Sequence, residues 1–193
     1  MLAGTPRAHT TVNRVPIGKA AETGYSHAVT RFDWTVVTTP LEEIVQDPEF
    51  PEGTAWRRRS FEANETIVQE GSEGRSLFLI ESGAVRVTAR VVLEEDRRVQ
   101  PGICDLQAGE LFGELGLFEN HPRSASVMTI TDTRLIEFDG EQLSRYLDAH
   151  PEIGYRVLKA LFAIVMERLS SANRRIEYLL GWGLKAHGIE KHL

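Results

Sequence analysis

One short stretch, FGELGLFENHPRSASV at 112–127, contains six residues that could bind a ligand: Gly113, Glu114, Gly116, Arg123, Ser124 and Ser126. Gly113 and Gly116 let the main chain approach a ligand closely, because no Cβ intervenes. Successive backbone N–H groups in such a turn point towards an anion. Arg123 adds a planar cation that matches phosphate oxygens, and Glu114 accepts hydrogen bonds from hydroxyl groups. The residue types therefore indicate a ligand with an anionic end and a sugar.

The order and spacing of these residues match a known pattern. F-G-E-L-x-L, a short spacer and P-R-S-A-S-V resemble the phosphate-binding cassette of cyclic nucleotide-binding domains, which occur in catabolite activators, cyclic-nucleotide-dependent kinases and gated channels. Upstream, IVQEGSEGRSLFLIESGAVRV at 67–87 resembles the first strands of that family. Residues 135–169 resemble its closing strand and its B and C helices, so the resemblance covers roughly residues 55–178.

The resemblance implies a role for each matching residue. Glu114 would accept the ribose 2′-hydroxyl, and Arg123 would pair with an equatorial oxygen of the cyclic phosphate. The ligand-binding residues implied in this way are Gly113, Glu114, Leu115, Gly116, Arg123, Ser124, Ala125, Val127 and Asn173. Two alternatives remain at this level: Glu114 and Arg123 could form a surface ion pair of little energetic value, and the glycines could be ordinary turn residues.

The identity of the base depends on residues at two places. A serine directly after the cassette arginine, here Ser124, resembles the catabolite activator pattern, which implies cAMP as the ligand, although a hydroxyl there can also contact guanine. The hydroxyl pair of the C helix in catabolite activators falls on Ala172 and Asn173. Ala172 lacks a polar side-chain group, whereas Asn173 keeps an amide, so the helix does not decide between the two bases. From Ser124 we expect the ligand to be cAMP or cGMP, with cAMP ahead of cGMP.

Composition excludes several other classes of protein. The 193 residues carry a net charge of −6, which disfavours broad nucleic-acid binding. The single cysteine, Cys104, cannot form an internal disulfide, so a reducing compartment is expected. The resemblance leads us to expect a cytoplasmic, bacterial sensor. We find no membrane span, secretory signal, metal-ligand spacing or catalytic constellation, and expect neither a metal nor an enzymatic activity.

Short strands separated by turns must position the cassette. The predicted strands are Thr66–Val68, Leu77–Ile80, Ala84–Val92, Ser124–Thr129 and Arg134–Phe138. With the resemblance, they indicate a mainly β protein with flanking helices (α+β). The expected fold is a jelly-roll-like β-roll, or double-stranded β-helix, with a short cassette helix and C-terminal B and C helices. We divide the chain into a flexible arm (1–40), the β-roll with a short leading helix (41–138), and C-terminal helices with a short tail (139–193).

Helices are predicted at both ends of the roll. Leu41–Gln46 follows Pro40 as a short helix. Asp139 caps a helix from about Glu141 to His150. A longer helix begins at Pro151 and continues to about residue 180, where two glycines at 181 and 183 are predicted to end it.

The long helix also carries an apolar pattern at spacings of three and four, from residue 157 to 179. A second subunit could bury this pattern in a homodimer, or the helix could fold back across its own domain. We expect a receptor without a helix-turn-helix domain that acts through an unidentified protein partner. A module with an empty pocket and a DNA-binding regulator remain as alternatives. The basic run Arg57–Arg59 is interpreted as a solvated strand surface.

Overall fold

The computed structural model describes residues 35–92, 98–99, 101–118 and 122–186 of the chain. Ten strands and four helices lie in these ranges. Residues 1–34 of the predicted flexible arm (1–40) and the tail at 187–193 fall outside them, and residues 35–40 of that arm are helical. The strands are β1 (Trp56–Phe61), β2 (Thr66–Val68), β3 (Leu77–Ser82), β4 (Ala84–Thr88), β5 (Val91–Val92), β6 (Arg98–Val99), β7 (Gly102–Gln107), β8 (Leu111–Phe112), β9 (Ser126–Thr129) and β10 (Thr133–Phe138). The helices are α1 (Thr35–Val45), α2 (Leu115–Phe118), α3 (Gly140–Ala149) and α4 (Pro151–Ala186).

Two four-stranded antiparallel sheets form the β-roll. Their strand orders are β1-β10-β3-β8 and β2-β9-β4-β7, and β5 and β6 make a separate pair. The chain passes from the first sheet to the second between β3 and β4, where Gly83 has φ of 92°. A Cβ there would lie 2.4 Å from the carbonyl oxygen of Asp132, so only glycine fits. The predicted fold class, a β-roll with flanking helices, is confirmed.

Each strand of the first sheet contributes to two hydrophobic cores, because successive side chains point to opposite faces. On β3, Phe78 and Ile80 face the interior of the roll, where they pack with residues such as Val85 and Val127 of the second sheet. Leu77 and its alternate neighbours face outward against α1, α3 and α4. The helices therefore cover the outer face of the first sheet and do not enter the interior of the roll.

The predicted helix caps of α3 and α4 are confirmed. The side chain of Asp139 accepts hydrogen bonds from the backbone N–H groups of Glu141 (3.1 Å) and Gln142 (2.9 Å). Pro151 is the first residue of α4, where its missing N–H costs nothing.

Two predicted helix boundaries were wrong. Helix α1 begins at Thr35 and contains Pro40, although the proline was expected to precede it. Burial of Leu41 and Ile44, each about 1.5–3 kcal/mol, offsets the lost hydrogen bond. Helix α4 continues through Gly181 and Gly183 to residue 186, since a glycine costs only about 1 kcal/mol among strong helix formers.

Polar contacts fasten α1 to the C-terminal helices. Arg156 donates to both carboxylate oxygens of Glu43, at 2.6 and 2.7 Å. The Tyr146 hydroxyl donates to Asp47 at 2.6 Å. Burial and this hydrogen bond raise the pKa of Tyr146 to about 12. Helices α1, α3 and α4 thus form one packed group against the first sheet.

Candidate functional site

The cassette backbone turns sharply between β8 and α2. Gly113 has φ of 84°, in the left-handed region that favours glycine. A Cβ at this position would lie 2.7 Å from the carbonyl oxygen of Ser76, so any larger residue forces the backbone to move. After the turn, the side chain of Glu114 contacts Arg168 of α4.

The guanidinium group of Arg123 lies against three glycines. A Cβ would lie 3.0 Å from its Nη2 atom at Gly74, and 2.9 and 3.2 Å from its Nη1 atom at Gly113 and Gly116. The backbone of Arg123 is held on both sides by the turn at 71–72: its N–H donates to Ser72 at 2.8 Å, and its carbonyl accepts from Gly71 at 2.8 Å. Absence of side chains at these glycines therefore creates the space around the cation.

Arg123 is a partly buried cation that makes no ion pair within the described ranges. Among the described residues its side chain makes one hydrogen bond, from Nη1 to the Gly113 carbonyl oxygen, and this bond is long at 3.5 Å. Its guanidinium carbon also lies 5.7 Å from the ring centroid of Phe78. Burial lowers the pKa of Arg123, and the charges of Glu137 and Glu114 oppose that effect only in part. A desolvated arginine of this kind provides donors and charge for an anion such as phosphate.

Glu137 supplies the nearby negative charge, but other residues already hold its carboxylate. Arg57 and Arg59 each donate to its Oε2 atom at 2.9 Å, and the Ser76 hydroxyl donates to Oε1 at 2.9 Å. Burial alone would raise the pKa of Glu137, yet these hydrogen bonds and charges outweigh burial and lower it. Arg57 and Arg59 therefore share one face of β1, while Arg58 pairs with Glu81 at 2.9 Å.

Glu114 is 9% exposed, and an arginine of α4 orients its carboxylate. Arg168 donates from Nη1 to the Oε1 atom of Glu114 at 2.6 Å and from Nη2 to the carbonyl oxygen of Leu111. Within the described part of the chain, the second carboxylate oxygen, Oε2, has no hydrogen-bond partner. This oxygen can accept a hydrogen bond from a ligand hydroxyl.

Two helical turns beyond Arg168, a second arginine connects α4 to the roll. Arg175 donates from Nη1 to the carbonyl oxygen of Ile103 on β7. The next residue of that strand, Cys104, packs against the interior core of the roll. Burial raises the pKa of the Cys104 thiol, and the positive charges of Arg168 and Arg175 oppose that rise. Cys104 therefore lies on the inner wall near both arginines.

The other residues expected at the site lie at different depths. Val127 is buried in the interior core, Ala125 is half-buried, and Ser124 is exposed beside Arg123. Leu115 is 57% exposed at the start of α2. Asn173 is exposed on α4, and its position five residues after Arg168 directs it to a different side of the helix. The cassette residues thus come together, and Asn173 lies apart from them.

Sequence reasoning overlooked Arg168, Arg175, Glu137 and Gly74 as parts of this site. Arg168 and Arg175 are one heptad apart within an apolar helix, a spacing that places both on one face. That periodicity was the available signal for this pair. No comparable signal marks Gly74 or Glu137, because their roles depend on contacts between distant segments.

Within the described ranges, no group of three histidine, cysteine or carboxylate side chains is arranged to hold a metal ion. No helix in those ranges combines the length and the apolar character required to cross a bilayer.

Comparison with known proteins agrees with this geometry. Residues 58–150 match the model of the family described as cyclic nucleotide-binding domain. A "CRP-like cAMP-activated global transcriptional regulator" of Mycobacterium tuberculosis is 30% identical over 140 residues, covering 72% of this chain and 54% of the regulator. "Glutaminase 2" of Bradyrhizobium diazoefficiens is 29% identical over 121 residues, which are 63% of this chain and 18% of the glutaminase.

A solved structure is also similar. The catabolite activator protein of Thermus thermophilus matches with a TM-score of 0.55 and 25% identity, covering 79% of this chain and 61% of that protein. The chain spans about half the length of the regulator that it matches, so the similarity concerns the domain. Residues 58–150 belong to the cyclic nucleotide-binding domain family.

Proposed function

We propose that this protein is a receptor for a 3′,5′-cyclic nucleotide. The observation that carries the proposal is Arg123, a partly buried cation without an ion-pair partner in the described ranges, enclosed by glycines. The cyclic phosphate would take the place of the missing counterion. Charge-assisted hydrogen bonds of this kind contribute about 1.5–3 kcal/mol each. Both cAMP and cGMP satisfy this contact.

Further groups would complete the ligand contacts. The Oε2 atom of Glu114 would accept the ribose 2′-hydroxyl, because Arg168 already holds the other oxygen at 2.6 Å. The backbone N–H groups of Leu115 and Ser124 would donate to the phosphate, whereas the N–H of Gly116 already donates to the carbonyl oxygen of Gly113 at 3.1 Å. Val127 and Ala125 would form part of the wall. No metal is needed for these contacts, and we propose no catalytic activity.

Ligand binding would reach a partner protein through α4. Arg168 and Arg175 join this helix to β7 and β8 at the rim of the pocket, so a ligand that changes these contacts changes the position of the helix. The ligand shifts the balance between two arrangements only by its difference in affinity for them.

The exposed apolar side chains of α4 favour a homodimer. They recur at alternating spacings of three and four, the pattern that two identical helices bury in a coiled coil, except that one interval of seven separates Leu169 from Ile176, with the small residue Ala172 between them. The exposed members are Tyr155, Leu158, Phe162, Val165, Leu169, Ile176 and Leu179. Val157, Leu161 and Ile164 of the same helix are buried against its own domain, so folding back accounts only for part of the apolar pattern. We propose that a second copy covers this seam, defined by the seven exposed residues.

Calorimetric titration with cAMP and cGMP tests the receptor function. Wild-type protein should bind at least one of them, and Arg123→Ala should lose at least about tenfold in affinity, since an anion loses its charged partner. Arg134→Ala is the matched control, because this arginine is exposed on β10 and donates only to Ser82, at 3.3 Å. Absence of binding by folded wild-type protein, or full affinity in Arg123→Ala, would overturn the proposal.

A further inference from the structure

The chemistry of the pocket rim near Arg175 bears on which base the site accepts. Arg168 contacts Glu114, the residue at the ribose end, and Arg175 follows seven positions later on the same face of α4. Seven residues of helix span about 10 Å, comparable to the reach of a nucleoside from its sugar hydroxyl to the far edge of its base. Arg175 therefore lies where the base of a bound nucleotide would end.

The described polar groups at this position are mostly hydrogen-bond donors. Arginine has five N–H donors and no acceptor, and only the Nη1 group of Arg175 is engaged, with Ile103. The carbonyl oxygen of Ile103 is the nearby acceptor, and Arg175 already occupies it. Asp105 is turned away, since its carboxylate accepts from Arg86 at 2.7 and 2.8 Å.

Neighbouring positions of α4 offer no replacement acceptor. Ala172, between the two arginines, has no polar side-chain atom. The Ser171 hydroxyl donates to Glu167 at 3.1 Å and accepts from Arg174 at 2.9 Å, so it is committed within the helix. Asn173 lies on a different side of α4. The rim thus presents donors to the base without a free acceptor among these groups.

The two purines differ at the edge that such donors would meet. Guanine presents two acceptors, N7 and O6, which an arginine can bind with two parallel hydrogen bonds. Adenine presents one acceptor, N7, and an amino group that is itself a donor and would face the guanidinium unpaired. A bidentate contact of this type discriminates against the wrong base by about tenfold or more.

We propose that Arg175 selects guanine, so that the protein prefers cGMP to cAMP. This inference rests on the proposed receptor function and concerns the same pocket. It opposes the expectation from Ser124, whose hydroxyl can contact either base. Arg175 would exchange its bond with Ile103 for the base edge, or use its remaining N–H groups while keeping that bond.

Affinities of four proteins for cAMP and cGMP test the proposal: wild type, Arg175→Ala, Arg175→Gln and Arg174→Ala. Wild type should bind cGMP about tenfold or more tightly than cAMP. Arg175→Ala should lose most of that preference, because the Ile103 carbonyl becomes free to accept from adenine. Arg175→Gln should move it further towards cAMP, since glutamine offers both a donor and an acceptor. Arg174→Ala should keep the wild-type ratio, because its guanidinium contacts only α4 residues.

The outcomes separate this inference from the receptor function. Equal or tighter binding of cAMP by wild type would overturn guanine selection and leave the receptor intact. A cGMP preference that survives in Arg175→Ala would overturn the role of this residue. Failure of folded wild type to bind either nucleotide would overturn both proposals together. Thermal unfolding of each variant verifies that a lost preference does not reflect a lost fold.

Discussion

The contact between Arg168 and Glu114 connects the long helix to the cassette, and a double-mutant cycle can measure its energy. The four proteins are wild type, Arg168→Ala, Glu114→Gln and the double variant. Exposed ion pairs contribute about 0–1 kcal/mol, while breaking a buried pair costs about 3–5 kcal/mol. The side chains are 32% and 11% exposed, so this pair lies between those limits.

We expect a coupling energy of about 1–2 kcal/mol, because one partner is nearly buried and the 2.6 Å hydrogen bond is charge-assisted. Arg168→Ala also loses the bond to the Leu111 carbonyl oxygen, and should cost about 2 kcal/mol in the free energy of unfolding. For a chain of this size that loss lowers Tm by roughly 4–8 °C.

Urea unfolding, followed by tryptophan fluorescence at one protein concentration, supplies the four free energies. The matched control is the pair Arg86 and Asp105, which has similar hydrogen bonds but side chains 48% and 41% exposed. Its coupling should stay below about 1 kcal/mol. If the Arg168–Glu114 coupling were no larger than that of the control, burial would not strengthen the contact and the reasoning would fail.

Three further predictions concern the cassette, the helix seam and alkaline pH. Gly113→Ala should abolish nucleotide binding in titration, because its Cβ would lie 2.7 Å from a backbone oxygen; wild-type affinity in this variant would contradict the prediction. Gly181→Ala should instead increase the free energy of unfolding by up to about 1 kcal/mol, and a decrease would contradict that expectation. Phe162→Glu should yield monomers in sedimentation, and an unchanged mass would argue against pairing through the seam. The raised pKa of Tyr146, about 12, means that folding retains its proton; the stability it provides is complete below pH of about 10 and lost towards 12. Tyr146→Phe should therefore lack this alkaline loss in urea titrations, and an identical loss in both proteins would exclude ionisation of the buried, hydrogen-bonded Tyr146 hydroxyl as its cause.

The sequence was sufficient for the elements whose signals are local. Short apolar segments between turns predicted β2, β3, β9 and β10, and Asp139 and Pro151 marked the starts of α3 and α4. The single strand expected at 84–92 divides into β4 and β5, and no bounds were predicted for β1, β6, β7 or β8. The glycine and arginine pattern of the cassette was equally local, because a left-handed turn and a phosphate-matching cation are properties of single residues.

Tertiary structure decided what depends on contacts between distant segments. Burial of Leu41 and Ile44 keeps α1 helical through Pro40, against its local preference. The partners of Arg168 and Arg175 lie more than fifty residues earlier in the chain, at Glu114 in the cassette turn, Leu111 on β8 and Ile103 on β7. Hydrophobic periodicity assigns a residue to a face of a helix but does not say which surface that face meets. Only the packing of α4 on the roll brings its arginines to Glu114, β8 and β7.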